Sequence, residues 1–217
     1  MRRNLLLLVF VVLACWVAYQ NHCRAQQERR AKNIERLGGF IDHGGAFIVL
    51  GGPEVTDETM KHLVGFPELQ YLALPETAIT PKGILQLQQF DLLGLEVLRT
   101  PVSARFYVQV AALPKLKVLK MAQTGSTDEC LAELSRLHDL EVLDLSNCPI
   151  SAEGVRHLVE LKNLRVLSLY ATLVGDDCVA YLREIPHLER VDIELTRMTP
   201  HGVNALHDAS PTCQISY

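Results

Sequence analysis

The amino-acid sequence predicts an α/β solenoid, with a parallel β-sheet on its concave side, helices on its convex side and an N-terminal transmembrane helix before it. Three features of the sequence predict this fold. Apolar positions recur every 23 or 24 residues from about Ile48 onwards, each copy changes from strand-like to helix-like spacing, and an uncharged apolar run opens the chain. With 217 residues, 48% of them hydrophobic, the chain is long enough to bury a substantial core.

The first predicted element is an apolar segment at residues 1–20. Its uncharged core, Leu5–Tyr19, together with its polar neighbours reaches the roughly 17 residues that a membrane-spanning helix needs. We therefore predict an uncleaved signal anchor at residues 1–20. Two alternatives stay open, namely a signal peptide cleaved after Ala25 and a lipoprotein-type modification at Cys15.

Basic residues on both sides of this segment give conflicting indications of its orientation. More of them follow the segment than precede it, which by the positive-inside rule favours a cytoplasmic repeat domain. A very short basic tail before the apolar run is nonetheless typical of exported anchors, so we expect the repeat domain outside the cytoplasm. Residues 21–37 carry mixed charge with helically spaced apolar residues, which predicts a charged juxtamembrane helix or linker. The repeat domain is then expected at residues 38–217.

The repeat itself reads LxxLxLxxTx[IV][ST], followed by a run of apolar residues at helical spacing. Its LxL portion has the alternation of a strand, so every second side chain points into the core. We expect a small side chain in the threonine column to bond backbone groups where the chain leaves the sheet. This column contains Pro53, Thr77, Thr100, Thr124, Cys148, Thr172 and Thr196. About seven repeats and a terminal strand at Ile215 share this register.

The second half of each repeat predicts a helix. Hydroxyl residues stand where a helix N-cap is expected, at Thr56, Thr80, Ser103, Thr127, Ser151 and Thr199. Three residues later a small-residue column contains Gly83, Gly154 and Gly202, with Cys130 and Cys178 in other copies. We expect glycine there to let the helix approach the sheet closely.

These motifs resemble the leucine-rich-repeat family, in its helix-containing, ribonuclease-inhibitor-like form. The resemblance covers about Ala46 to Tyr217. The pattern TxITxxG followed by LxxLxxL, with the preceding ERLGGFIDHGG, is similar to small membrane-anchored leucine-rich-repeat proteins of planctomycete-type bacteria. It implies a parallel solenoid whose concave sheet binds a protein.

The sequence contains no recognisable catalytic, cofactor-binding or metal-binding arrangement. Cys148 and His157 suggest a nucleophile and a base, but Cys148 lies in the threonine column and His157 shares a helix position with His62. The eight histidines lack metal-ligand spacing, the six cysteines form no CxxC pair, and a net charge of −4 does not favour nucleic acid. Cys130 and Cys178 stand two repeats apart, too far for a disulfide, and are expected to be buried thiols. We therefore predict a protein that is not an enzyme and binds no small-molecule substrate.

The candidate binding surface is the concave face of the sheet. Val118, Val142 and Val166 beside Tyr170 form an apolar stripe with a polar rim, as interfaces often do. The predicted protein-binding residues are Tyr71, Glu96, Lys120, Val142, Asp144, Val166, Ser168, Tyr170, Arg190, Asp192 and Glu194.

These features predict a membrane-tethered, non-enzymatic scaffold that binds a protein partner. Valine is also simply a good strand former. A structural envelope protein without a specific partner therefore stays an alternative, as does, less favoured, an enzyme with an unrecognised site.

Overall fold

The computed structural model describes residues 25–26, 28–42 and 44–217, and the predicted anchor at residues 1–20 lies outside them. Within that described part, none of the helices has the length and apolar character needed to span a membrane. The domain boundaries proposed from the sequence therefore stay predictions.

Among the described residues, nine short strands form one sheet, in which the strand order follows the chain order. The strands are β1 (Phe40–Ile41), β2 (Phe47–Val49), β3 (Tyr71–Ala73), β4 (Gly94–Glu96), β5 (Val118–Lys120), β6 (Val142–Asp144), β7 (Val166–Ser168), β8 (Arg190–Asp192) and β9 (Gln214–Ser216). All neighbours from β2 to β9 pair in parallel, which confirms the predicted solenoid sheet and its terminal strand. The sequence did not predict β1, which pairs antiparallel with β2 and so begins the sheet with a hairpin.

Helical segments connect successive strands on the opposite side. They are α2 (Pro81–Leu85), α3 (Ala104–Val110), α4 (Asp128–Leu134), α5 (Ala152–Leu158), α6 (Val179–Leu182) and α7 (Pro200–Ala209), whereas a further helix, α1 (residues 28–36), precedes β1. Three 3-10 segments, Thr59–Gly65, Gln86–Gln89 and Asp176–Cys178, replace or extend the α-helix in some repeats. The convex helices are thus present, but they are short and only partly α-helical.

The predicted helix caps are confirmed only in part. The side chains of Thr80, Ser151 and Thr199 accept hydrogen bonds from backbone N–H groups in the first turn. Ser103 occupies the N-cap position without such a bond. Thr127 does the same, and its hydroxyl instead lies 3.5 Å from the sulfur of Cys130. The prediction of Thr56 was wrong, because the 3-10 segment after it has Glu58 as its N-cap.

The core lies between the sheet and the helices, and the threonine column closes it where each strand ends. The hydroxyls of Thr124 and Thr172 donate to the carbonyl oxygens of Met121 and Leu169, at 2.7 and 2.6 Å. Cys148 stands between these two threonines in the stack. It is 2% exposed, and its thiol lies 3.3 Å from the carbonyl oxygen of Met121. The column therefore supplies backbone partners inside the core, as the sequence predicts.

A second column has an unusual backbone conformation. In six successive repeats the residue directly before the threonine column has φ between 51° and 58°, namely Glu76, Arg99, Gln123, Asn147, Ala171 and Leu195. Residues other than glycine and asparagine rarely adopt this left-handed backbone conformation. The N–H of each of the first five donates to a carbonyl of the next repeat, at 2.7 to 3.1 Å. These bonds tie neighbouring repeats together and hold the strained turns in place.

The glycine column has a different role from the one expected. A Cβ at Gly154 would lie 2.4 Å from a carboxylate oxygen of Asp128, which belongs to the preceding repeat. Gly83 and Gly202 have the same relation to Asp57 and Asp176. The column makes room for an aspartate of the neighbouring repeat. From the sequence we expect the absence of a side chain there to let the helix approach the sheet, but the contact that it permits is instead with this aspartate.

The N-terminal helix packs onto the first repeat. Ile34 of α1 is fully buried and belongs to the main hydrophobic core. A Cβ at Gly65 would lie 2.4 Å from the side chain of Arg30, so this helix also fits closely against the first 3-10 segment. Helix α1 and the β1–β2 hairpin therefore cover the N-terminal end of the repeat core.

Candidate functional site

The concave face consists of two rows of strand side chains that point away from the core. The first row runs across the sheet through Phe47, Tyr71, Gly94, Val118, Val142, Val166, Arg190 and Gln214. The second row runs through Val49, Ala73, Glu96, Lys120, Asp144, Ser168, Asp192 and Ser216. The register thus places nine of the predicted binding residues side by side on one surface.

Tyr170 and Glu194, the other two predicted residues, lie just beyond the strands. Tyr170 follows the end of β7 by two residues and is half-buried, while Glu194 follows β8 by two residues and is exposed. The carbonyl of Tyr170 accepts a hydrogen bond of 2.8 Å from the N–H of Asn147. Both residues therefore extend the concave face at the edge where the strands end.

An aromatic cluster, which we name the aromatic end, lies at the N-terminal end of this face. It consists of Phe40, Phe47 and Tyr71, whose exposed fractions are 58%, 40% and 40%. The rings of Phe40 and Phe47 meet edge to face with their centroids 6.3 Å apart. Of these three residues, the sequence predicted only Tyr71 as a binding residue. Continuing its column 24 residues upstream would have found Phe47, whereas Phe40 depends on the antiparallel hairpin.

The position of the Tyr71 ring depends on a glycine, Gly94, on the next strand. Tyr71 pairs in register with Gly94, and a Cβ at Gly94 would lie 2.3 Å from the tyrosine ring. The ring therefore lies over the backbone of β4, where any side chain would displace it. A strand glycine often marks such a close approach.

A shallow pocket borders this ring. Its lining includes Phe47, Tyr71, Gly94 and Val118, with Glu96 and Lys120 at its polar side. Its volume of about 180 Å³ is smaller than the roughly 300 Å³ at which small-molecule sites begin. The pocket is large enough for one bulky side chain of a partner.

The charges on the face differ between its two halves. Near the aromatic end, Lys120 and Glu96 form an ion pair of 3.3 Å and so offset each other. In the half formed by β6 to β8, Asp144, Asp192 and Glu194 form no ion pair with any described residue. We name these three residues the acidic end.

Hydrogen bonds orient two of the acidic side chains. Asp144 accepts from the backbone N–H and the hydroxyl of Ser146, at 2.9 and 2.5 Å. Asp192 accepts from the N–H of Glu194 at 3.1 Å. The one cation in the rows of this half is Arg190, whose guanidinium donates to the side chain of Gln214 at 3.2 Å. The acidic end therefore keeps an excess of negative charge.

The charged residues that directly precede the strands form a lateral edge of the sheet and, by contrast, are paired between repeats. Lys117 and Glu141 lie 2.7 Å apart, and Arg165 pairs with Glu189 in the next two repeats. The hydrogen bond between the first two raises the pKa of Lys117 and lowers the pKa of Glu141. The charges of this edge therefore neutralise one another in ion pairs, whereas, within the described part of the chain, those of the acidic end do not.

The residues considered for catalysis do not form a site. The Cys148 thiol lies among backbone carbonyls in the core, and His157 is half-buried on α5, as His62 is in its own repeat. Burial raises the pKa of the Cys178 thiol to about 12, which keeps it protonated. The four cysteines in the described part of the chain are free and buried, and no group of three potential ligands that could hold a metal occurs there.

Comparison with known proteins identifies the fold. No protein-family model and no curated protein matches the chain. Among solved structures it is similar to an internalin C2 of Listeria monocytogenes, with a TM-score of 0.57 and 23% identity over 79% of this chain and 74% of that one. A second internalin of that bacterium has a TM-score of 0.55 and 15% identity, and covers 77% of this chain and 52% of its own.

A leucine-rich-repeat protein of Leptospira interrogans is similar as well. Its TM-score is 0.51 at 22% identity, over 72% of this chain and 39% of its own. The chain thus spans about half or less of two of these three proteins, and at such identities the likeness concerns the fold. It confirms the predicted leucine-rich-repeat architecture.

Proposed function

We propose that this chain, which has the leucine-rich-repeat fold, is a non-enzymatic scaffold that binds a protein partner on its concave face. The observation that carries the proposal is the array of side chains on the two rows, which point away from the core and are exposed or half-buried except at Ala73 and Gly94. These side chains stand on paired strands, so they form a contiguous surface that needs little reordering on binding. The acidic end, whose carboxylates form no ion pairs among the described residues, and the aromatic end, whose rings are exposed, give that surface distinct chemical features.

The composition of the face supports a protein as the partner. The first row is mostly aromatic and aliphatic, whereas the second row carries most of the charged groups. The pocket is too small for most small-molecule ligands. Tyr170, with Val142 and Val166 on neighbouring strands, supplies an apolar centre on the strands that also carry the acidic end. Tyrosine is among the residues whose truncation most weakens protein interfaces.

We further propose that residues 1–20 tether the scaffold to a membrane, with the repeat domain outside the cytoplasm. The support is the uncharged apolar run of Leu5–Tyr19 behind a short basic tail. A tether would hold the concave face near the membrane surface, where the partner would be met.

Photo-crosslinking in the native host tests the binding face. A photoreactive amino acid placed at Ser168, between Asp144 and Asp192 in the second row, should form an adduct with one partner protein. The same amino acid at Arg156, on helix α5, is the matched control and should form none. Adducts only from Arg156 would assign binding to the convex side, and no adduct from either position would favour a structural role without a specific partner.

A second variant tests the apolar centre. Tyr170→Ala should abolish the adduct from Ser168 while leaving the melting temperature of the protein unchanged within a few degrees, because the ring is only half-buried. An undiminished adduct would show that the partner does not use Tyr170.

A further inference from the structure

We propose that the partner docks through a segment that carries a bulky apolar side chain and a cationic side chain, the first in the pocket beside Tyr71 and the second against the acidic end. This inference rests on the proposed function and names the chemistry of its partner. It depends on two independent features of the concave face.

The first feature is a preformed apolar position. Gly94 puts no side chain on this face of β4, so the ring of Tyr71 lies over the strand backbone, and Phe47 stands on the neighbouring strand. Val118 forms the opposite wall of the pocket, so three apolar side chains surround one depression. Because the pocket already exists in the free protein, a partner side chain can fill it without opening the core.

The second feature is an uncompensated charge. Asp192 and Glu194 stand at the end of β8, and Asp144 lies two strands away in the same row as Asp192. Ser168, which is neutral, separates Asp144 from Asp192 and leaves a gap between two carboxylates. A guanidinium or ammonium group in this gap would be attracted by both.

The separation of the two features sets a requirement on the partner. The pocket is centred on β4 and the acidic end on β7, so three strand steps of about 4.8 Å place them roughly 14 Å apart. An extended peptide rises about 3.3 Å per residue and would span this distance in roughly four residues. Charge complementarity at one end and an apolar pocket at the other therefore fix the direction of the segment across the sheet.

The experiment uses the full chain in detergent micelles and a displayed library of random peptides. Selected peptides are synthesised and their affinities measured by fluorescence anisotropy. The expected peptides combine an aromatic or large aliphatic residue with lysine or arginine a few positions away. Enrichment of peptides that lack either group, or no enrichment, would overturn the inference.

Variants locate each half of the contact. Tyr71→Ser, with Phe47→Ser as a second variant, should weaken binding about 30-fold, the usual effect of losing an interface anchor. Asp192→Lys should weaken it at least about tenfold, and added salt should reduce this difference. The matched controls are Val108→Ser and Asp208→Lys, both at exposed positions on the convex helices, and these should change nothing.

The outcomes separate this inference from the proposed function. Peptides that bind the concave face but tolerate both Tyr71→Ser and Phe47→Ser, or tolerate Asp192→Lys, would overturn the inference and leave the proposed function intact. Binding that only the convex variants abolish would overturn both. Ultracentrifugation without peptide adds a further test, because self-association that Tyr71→Ser abolishes would make the occupant a second copy of this chain and would overturn the inference.

Discussion

Asp128 in one repeat holds the start of the helix in the next repeat through Ser151. Its two carboxylate oxygens accept hydrogen bonds from the backbone N–H and the hydroxyl of Ser151, at 2.8 and 2.5 Å. The same pair of bonds joins Asp57 to Thr80. It also joins Asp176 to Thr199. Charge-assisted bonds of this kind couple neighbouring repeats, which individually cannot bury their own core.

The glycine column follows from this contact. The three helices that receive an aspartate have glycine three residues after the cap, at Gly83, Gly154 and Gly202. Cys130 and Cys178 occupy that column in repeats whose predecessors have alanine, Ala104 and Ala152, in the aspartate position. Cysteine thus occurs in this column where the preceding repeat supplies no carboxylate.

The first prediction concerns the pair of Gly154 and Asp128. Gly154→Ala should destabilise the protein by about 1–3 kcal/mol, because the new methyl group would press on the carboxylate 2.4 Å away. Adding Asp128→Ala should recover part of that loss, and chemical denaturation of the single and double variants measures the coupling. Strictly additive losses would mean that the two side chains do not share this space.

The second prediction concerns the pH dependence of the contact between Asp176 and Thr199. The hydroxyl and the backbone N–H of Thr199 hold the pKa of Asp176 below its usual value. Protons therefore bind the unfolded state preferentially, and the stability that this carboxylate contributes is present at neutral pH and is lost as the pH falls below about 4.

The corresponding measurement compares Asp176→Asn with the unchanged protein in thermal melts from pH 7 to pH 3. The difference in melting temperature should be largest at pH 7 and should shrink in acid. Asp177→Asn, the neighbouring exposed carboxylate, is the control. A difference that is constant with pH would contradict the assigned role of the ionised Asp176.

The third prediction concerns Cys148. Cys148→Thr should be tolerated, because Thr124 and Thr172 in the adjacent repeats place their hydroxyls on a backbone carbonyl three residues earlier. Cys148→Leu should destabilise by about 1–3 kcal/mol through overpacking, since the site is 2% exposed. Thermal melts of both variants test this prediction. Equal losses of melting temperature would show that Cys148 is not equivalent to the threonines of this column.

The fourth prediction concerns the left-handed column. Ala171 has φ of 53°, so Ala171→Gly should stabilise the protein by about 0.5–1 kcal/mol through relief of backbone strain. Ala180→Gly on helix α6 is the matched control and should destabilise by a similar amount, because glycine weakens a helix. Destabilisation by both substitutions would show that the turn at Ala171 is not strained.

The fifth prediction concerns the tether at residues 1–20. In the native host the full chain should sediment with membranes, resist extraction by salt and carbonate, and be released by detergent, as an apolar helix requires. A reporter fused after Tyr217 should be active outside the cytoplasm. A soluble product that begins at Gln26 would instead establish cleavage, and a reporter active only in the cytoplasm would reverse the proposed orientation.

The sequence by itself determined the repeat, the strand positions and the threonine column. Leu72, Leu119 and Leu167 recur in one register because every repeat meets the same environment, a strand beside a copy of itself. Side chains alternate strictly along a strand, so the register also assigned Val142, Asp144 and Val166 to the concave face. These inferences need only periodicity and local geometry.

The tertiary structure decided which side chains meet across repeats. The ring of Tyr71 over Gly94, the carboxylate of Asp128 at Ser151 and the edge contact of Phe40 with Phe47 depend on side-chain orientation, or on a hairpin that breaks the period. Asp128 and Ser151 are 23 residues apart in the chain and become neighbours only when two repeats stack. Contacts of this kind follow from the packing of whole repeats, because a local pattern states which way a side chain faces and not what it meets there.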